Sequence, residues 1–146
     1  MSFPDELLRG ISHQDKIIED DTVTSDVFYF HLQTSDEIPE GCWELSVNWW
    51  DDEGSLDQLF TQRKSDGNLQ FKGGAAVLSR KGVDDVRHLP VMRRRLALAY
   101  ERQPLPDNKY HGNLLLKNES KKTMKVVAAA IALCVTSVLR NPTPKP

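Results

Sequence analysis

The stretch Trp43-Glu44-Leu45-Ser46-Val47-Asn48-Trp49 decides how this chain is read. Trp43, Leu45, Val47 and Trp49 alternate with Glu44, Ser46 and Asn48, and Trp50 follows out of phase. Successive side chains of a strand point to opposite faces, so this pattern predicts a strand with one apolar and one polar face. Such a strand needs partners, and the segments on either side are read for them.

Upstream, Asp26 to Leu32 (DVFYFHL) is rich in aromatic and β-branched residues and predicts a second strand. Phe28, Phe30 and Leu32 would share one face, and Val27, Tyr29 and His31 the other. Residues 4–9 read as a short helical turn, 11–18 as extended or irregular chain, 19–21 as an acidic break and 33–41 as a polar loop. Downstream, Ser55 reads as the N-cap of a helix from Leu56 to about Lys64, with Leu56, Leu59 and Phe60 as its apolar stripe. The turn Asp66-Gly67-Asn68 leads into 69–71, Gly73-Gly74 makes a bend, and 75–79 reads as a strand. Residues 81–89 fit a short helix stopped by Pro90. Residues 92–100 fit a helix by composition and a strand by the alternation of Leu96, Leu98 and Tyr100; strand is taken, with helix left open. Tyr110 to Leu116 predicts a strand after the turn at 103–108. Finally, Met124, Val127, Ala128, Ile131, Val135, Val138 and Leu139 recur at helical spacing, predicting a long helix from about Ser120 to Arg140.

Mostly short connections favour antiparallel pairing. The expected fold is therefore α+β: a mainly antiparallel sheet packed against a long C-terminal helix, in a single domain over 1–141 with a flexible Pro-rich tail at 142–146. Length and composition agree, because 146 residues with 39% apolar and 27% charged side chains can build one core without staples. Collagen-like, disulfide-scaffold and wholly disordered classes are excluded by the same figures. Cys42 and Cys134 make no metal pattern and point to a reducing, cytoplasmic compartment, with one disulfide left open. The first ten residues carry acids and lack the apolar core of a signal peptide. The longest apolar run, Val126 to Val135, is half the roughly twenty residues a membrane span needs. No membrane partner, cofactor or metal is expected.

Charge is unevenly placed. Residues 1–60 hold 15 Asp/Glu and 2 Lys/Arg, a charge of −13, while 61–146 hold 6 and 17, a charge of +11. The halves either neutralise each other across one domain or present a charged face to a partner.

Five groups of residues are candidates for chemistry. On the polar face of the strands, His31, Ser46, Asn48, His111 and Asn113 would converge if the strands are neighbours. Histidine titrates near neutrality, so His111 and His31 are the candidate catalytic pair, the alternative being a plain wet sheet face. The second group is Pro106-Asp107-Asn108-Lys109-Tyr110-His111-Gly112-Asn113. Here Asn108, Tyr110 and Asn113 are candidate ligand contacts, and Gly112 would allow close approach of a ligand or backbone; a turn with a satisfied histidine is the alternative. Third, Asp51-Asp52-Glu53 with Asp57 offers paired carboxylates, though acids also suit the start of a helix. Fourth, Arg93 and Arg95 lead a basic set with Arg63, Lys64, Arg80, Lys81, Arg87, His88, Arg94, Arg102, Lys121, Lys122 and Lys125, suited to phosphate or to the acids of the first half. Fifth, Trp43 and Trp49 read as core, and Trp50 as a partner hot spot or a partly covered strand end.

The pairing of ELSVNWW (44–50) with PDNKYHGNLLL (106–116), followed by a small-residue helix, resembles a pattern in small uncharacterised bacterial proteins. That resemblance implies a self-contained domain over most of residues 9–140 and carries no activity. The chain has Lys109 where the pattern places a second proline. The nucleotide, zinc-protease and serine-hydrolase motifs G-x-x-x-x-G-K-[ST], G-x-G-x-x-G, H-E-x-x-H and G-x-S-x-G are all missing. The leading expectation is thus a non-catalytic, cytoplasmic accessory module that meets a protein partner through complementary charge. The alternatives are a small hydrolase or nuclease-like enzyme using His111, and nucleic-acid binding through the Arg/Lys-rich second half. Oligomeric state is left open.

Overall fold

The strand expected over 43–49 lies in the middle of the sheet and organises what surrounds it. The computed structural model describes residues 2–19, 22–33 and 42–142. In chain order, β1 (Glu6–Ile11) is followed by an antiparallel pair, β2 (Ile17–Glu19) and β3 (Thr22–Val23). A 3-10 turn over Ser25–Phe28 leads to β4 (His31–Leu32). Then come β5 (Trp43–Trp49), α1 (Gly54–Thr61), β6 (Gly74–Ser79) and α2 (Arg80–Asp85), which runs into a 3-10 turn at Val86–His88. The chain continues through β7 (Leu98–Arg102), β8 (His111–Leu116), α3 (Lys121–Ala132) and β9 (Val135–Leu139).

The main sheet runs β7-β8-β5-β1-β6-β9, with β4 also paired to β5, and every described pairing is antiparallel. This is a mixed α/β fold with a mainly antiparallel sheet. One edge of β5 meets β8 along its whole length, from Trp43↔Leu116 to Asn48↔His111. The other edge is divided: β4 pairs at His31↔Glu44, and β1 at Leu7↔Trp49 and Leu8↔Asn48. Between β4 and β1 the Ser46 carbonyl has no strand partner, and Arg9 Nη1 donates to it at 2.8 Å. A side chain thus completes the edge that neither short strand reaches.

On the inner face, α3 lays Met124, Val127, Ala128 and Ile131 over Phe28, Phe30, Leu45, Val47 and Leu114, all buried. The outer face carries a second apolar cluster, Leu8, Leu59, Ala75 and Val77, with Trp50, Leu56, Phe71 and Leu139 packed against it. That face is therefore only partly free: α1 covers its β1–β6 side, and the polar β5–β8 side stays open beside α1.

Several expected elements are corrected. Residues 6–11 form β1, not a helical turn. A central strand covered on both faces carries Leu7, Leu8 and Ile11 all fully buried, so it shows no alternation to read. In the segment 26–32 the first three residues belong to the 3-10 turn and only His31 and Leu32 pair as strand; Phe28 and Phe30 are still buried, against α3. Ser55 lies inside α1 rather than capping it, because Asp52 Oδ1 accepts from the first helical amide, Gly54 N–H, at 2.8 Å. Residues 69–71 contribute one isolated bridge, Arg63↔Leu69. The strand expected over 92–100 begins at Leu98, so Arg93, Arg94 and Arg95 lie in an exposed loop.

The long terminal helix is the largest correction. Ser120 caps this helix, its Oγ accepting from Thr123 N–H at 3.1 Å. The helix stops at Ala132, and Val135–Leu139 turns back as edge strand β9 against β6, through Ala75↔Leu139 and Ala76↔Val138. β-branched Val135, Thr136 and Val138 favour extended chain, and their pairing gives the backbone groups of β6 partners that a helix could not supply. The polar loop 34–41 and residues 143–146 of the expected tail lie outside the described residues. No helix among the described residues is long and apolar enough to cross a membrane.

Candidate functional site

Register carries the polar face of β5 into a cleft. His31 opposes Glu44, Asn113 opposes Ser46, and His111 opposes Asn48, so all these side chains stand on the outer face. Beside them α1 ends at Gln62 on one side, and the 103–111 loop rises on the other. The result is a cavity of about 470 Å³ whose lining includes Arg9, Lys16, His31, Ser46, Asn48, Gln62, Gln70, Asp107, Asn108 and His111. Leu8, Val47, Leu59, Phe71 and Leu105 supply its apolar floor and walls.

A chain of five side-chain amides supports one wall, and all but Gln58 line the cleft. Asn108 Nδ2 donates to Asn48 Oδ1 at 2.8 Å, and Asn48 Nδ2 donates to Gln58 Oε1 at 3.1 Å. Gln58 Nε2 then donates to Gln62 Oε1 at 2.8 Å, and Gln62 Nε2 to Gln70 Oε1 at 2.7 Å. Backbone groups fix the direction of the chain. Asn108 Oδ1 accepts from Tyr110 N–H, and Asn48 Nδ2 also donates to the Ser55 carbonyl, an acceptor only. Each amide therefore has a single consistent orientation, and Gln70 ends the chain with an NH₂ group that no other described residue accepts.

The charged groups differ in how they are held. Lys16 and Asp26 pair at 2.5 Å, and Asp26 also accepts from Thr24 Oγ1. The lysine contact, followed by the threonine bond, keeps the Asp26 carboxyl below its ordinary range. Arg9 Nε donates to the Val27 carbonyl at 2.8 Å, and Nη1 to that of Ser46. Among the described residues no carboxylate pairs with Arg9. Burial pulls its guanidinium down to about 10, still charged at neutral pH. On the opposite wall His111 Nδ1 lies 2.9 Å from the Gln103 carbonyl. A carbonyl only accepts, so Nδ1 carries a proton and Nε2 of the neutral ring is the acceptor.

Of the sequence candidates, His31, Ser46, Asn48, Asp107, Asn108 and His111 line this cleft. The others lie elsewhere. Asn113 is sealed beneath the side chains of Glu101 and Gln103, which accept its amide at 2.7 and 2.9 Å. Tyr110 is buried, and its hydroxyl donates to Asp52 at 2.6 Å, which raises the phenol to about 12. Gly112 does allow close approach, but of the protein itself: a Cβ there would lie 2.1 Å from Trp49 Nε1 and 2.3 Å from the Glu101 carbonyl. Trp50 packs beside Leu59 in the outer apolar cluster. Arg93 and Arg95 are exposed, away from the cleft. Asp51 is held by a two-point contact from Arg102, and Asp52 by Tyr110 and Gly54 N–H. No group of His, Cys, Asp and Glu among the described residues is placed to hold a metal ion.

Sequence reasoning missed Arg9, Gln62 and Gln70. Gln58 and Gln62 stand one turn apart on the predicted helix, off its apolar stripe, and that spacing was the available signal. Arg9 had none, since its strand was unrecognised. No family model, curated protein or solved structure matches the chain.

Proposed function

We propose that this chain is a non-catalytic binding module that holds a small polar molecule in the cleft between α1 and the 103–111 loop. The observation that carries this reading is the five-amide wall, whose members are held in place by one another and by backbone before any ligand arrives. Rigid polar groups lower the ordering cost of binding, and a cavity of about 470 Å³ over an apolar floor suits a metabolite-sized molecule. The test is ligand-observed NMR against a library of polar metabolite-sized compounds. Hits should compete with one another and lose binding in His31→Trp, which fills the mouth from an exposed position. A library without a competing set of hits, or hits unchanged in His31→Trp, overturns the reading.

A protein partner recruited by charge is the second reading. Of the seven ion pairs among the described residues, only Asp5–Arg80 and Asp51–Arg102 join the acidic first sixty residues to the basic remainder. The charge split is thus little neutralised by direct pairing, and Arg93 and Arg95 are exposed. Association that weakens steeply with salt would support this reading. A mobility shift of nucleic acid lost in Arg93→Ala/Arg95→Ala would move it to a nucleic-acid partner. Acid–base chemistry at His111 rests on its oriented ring. Among the described residues no hydroxyl or thiol is bonded to that ring, so the enzyme reading stands behind binding.

A further inference from the structure

We infer that the group recognised in the cleft is an oxyanion, a carboxylate or phosphate, anchored by Arg9; this deepens the proposed small-molecule reading and rests on it.

The argument starts from an unbalanced charge. Arg9 is drawn into the sheet by two neutral carbonyls, those of Val27 and Ser46, and no carboxylate of the described chain answers it. Those bonds engage Nε and one Nη1 hydrogen and leave the Nη2 donors for the cleft that Arg9 lines. A partly buried cation without a counter-charge is unfavourable, and a planar guanidinium fork fits a carboxylate or phosphate at two points. The nearby Asp26 makes no ion pair with Arg9, and its charge is already balanced by Lys16.

The amide wall independently favours the same ligand. Its direction is set by the Tyr110 N–H at one end and the Ser55 carbonyl at Asn48, so the far end, Gln70, presents N–H donors. Gln70 and Arg9 both line the cleft, so their free donors open onto the same space. The cleft therefore offers donors and positive charge, while acceptors, Asp107 and the His111 ring, stand on the 103–111 side. An acidic head at Arg9 with a hydrogen-bond donor on the ligand body matches both ends.

The experiment is an NMR titration of the intact chain at fixed ionic strength, following the Arg9 Nε–H and the Gln70 side-chain amide. The probes are two matched pairs: inorganic phosphate with trimethyl phosphate, and malonate with malonamide. Saturable shifts of these signals with phosphate or malonate, and none with the neutral partners, are expected; the tighter anion identifies the head group. Gln70→Glu puts negative charge in the cleft and should weaken the anion at least roughly tenfold, about one step on the affinity scale. Arg9→Lys keeps the charge, loses the fork and should weaken it similarly; Gln70→Glu keeps the test open if Arg9→Lys fails to fold. Equal responses to malonate and malonamide overturn the anion assignment and leave the cleft as a binding site. Shifts confined to signals outside the cleft also overturn the assignment. Silence of these signals together with an empty library screen overturns both this inference and the reading beneath it.

Discussion

Asn108 donates its side-chain amide to Asn48 Oδ1 at 2.8 Å across sixty residues of chain, and both groups are buried. The same Asn48 donates to the Ser55 carbonyl and to Gln58 Oε1. One side chain therefore ties β5 to the 103–111 loop and to the first and last turns of α1. Removing it leaves a buried donor and acceptors unanswered. Asn48→Ala is expected to lower stability by about 2–3 kcal/mol and Asn108→Ala by about 1–2 kcal/mol, since each buried polar group left unsatisfied costs about 1–3 kcal/mol. In the double variant the shared bond is lost once, so the combined loss should fall short of the sum. Urea unfolding of the four proteins measures this, and strict additivity would show that the amides do not act as one chain.

Gly112 and Gly67 separate two reasons for glycine. At Gly112 the backbone is ordinary, but a methyl group would strike Trp49 Nε1, whose N–H donates to the Glu101 carbonyl at 3.0 Å. At Gly67 nothing lies within 4 Å, and φ is +87°. Gly112→Ala should therefore cost about 3 kcal/mol, the upper range of overpacking, and change tryptophan near-ultraviolet dichroism. Gly67→Ala should cost about 1 kcal/mol, the penalty of the left-handed region, with the tryptophan signal unchanged. A Gly112→Ala protein with an unaltered tryptophan signal would contradict the packing.

What could be read from residues alone divides along physical lines. β5 was legible because half-burial writes alternation into the sequence, and that alternation also placed Asn48 and Ser46 on the cleft face. β1 was not, since burial on both faces removes the alternation and leaves Leu7 and Leu8 adjacent, as they would be in a helix. The aromatic run at 26–32 showed that Phe28 and Phe30 were core but not that their backbone turns, because burial against α3 needs no strand. His31 and His111 reached the same cleft because each is in register with β5. The amide chain depends on contacts among β5, α1, the 69–71 segment and the 103–111 loop, and no local pattern encodes it.

The Asp52–Tyr110 bond makes stability depend on pH at both ends of the scale. Tyr110, followed by Gly54 N–H, holds the Asp52 carboxyl below its unfolded value of about 3.9. A depressed acid contributes stability above that value and loses it as pH falls through the folded pKa. Asp52 in turn raises Tyr110 to about 12, above the unfolded value near 10. A raised phenol contributes below about pH 10 and loses that contribution as pH climbs toward 12. Tyr110→Phe should remove the alkaline contribution of this pair and reduce the acid one, which Gly54 N–H keeps in part, so both limbs of a urea-midpoint profile become shallower. A change in only one limb would mean the two groups are not coupled.

Residues 135–139 offer the sharpest contest between pattern and structure. Val135, Val138 and Leu139 continue the helical spacing of α3, yet the chain extends and pairs with β6. The two conformations respond oppositely to Val138→Ala. In a helix, alanine is the better residue by about 0.5 kcal/mol, so the change would stabilise the protein and raise its helical signal. In β9, Val138 packs half-buried against the inner core, and truncation removes apolar contact and a β-branched side chain from an edge strand. A loss of about 1 kcal/mol is expected from the methyl groups withdrawn from the core. Far-ultraviolet dichroism should stay unchanged, because α3 already ends at Ala132. A gain in stability together with added helicity would return these residues to the helix and leave β6 as the bare edge of the sheet.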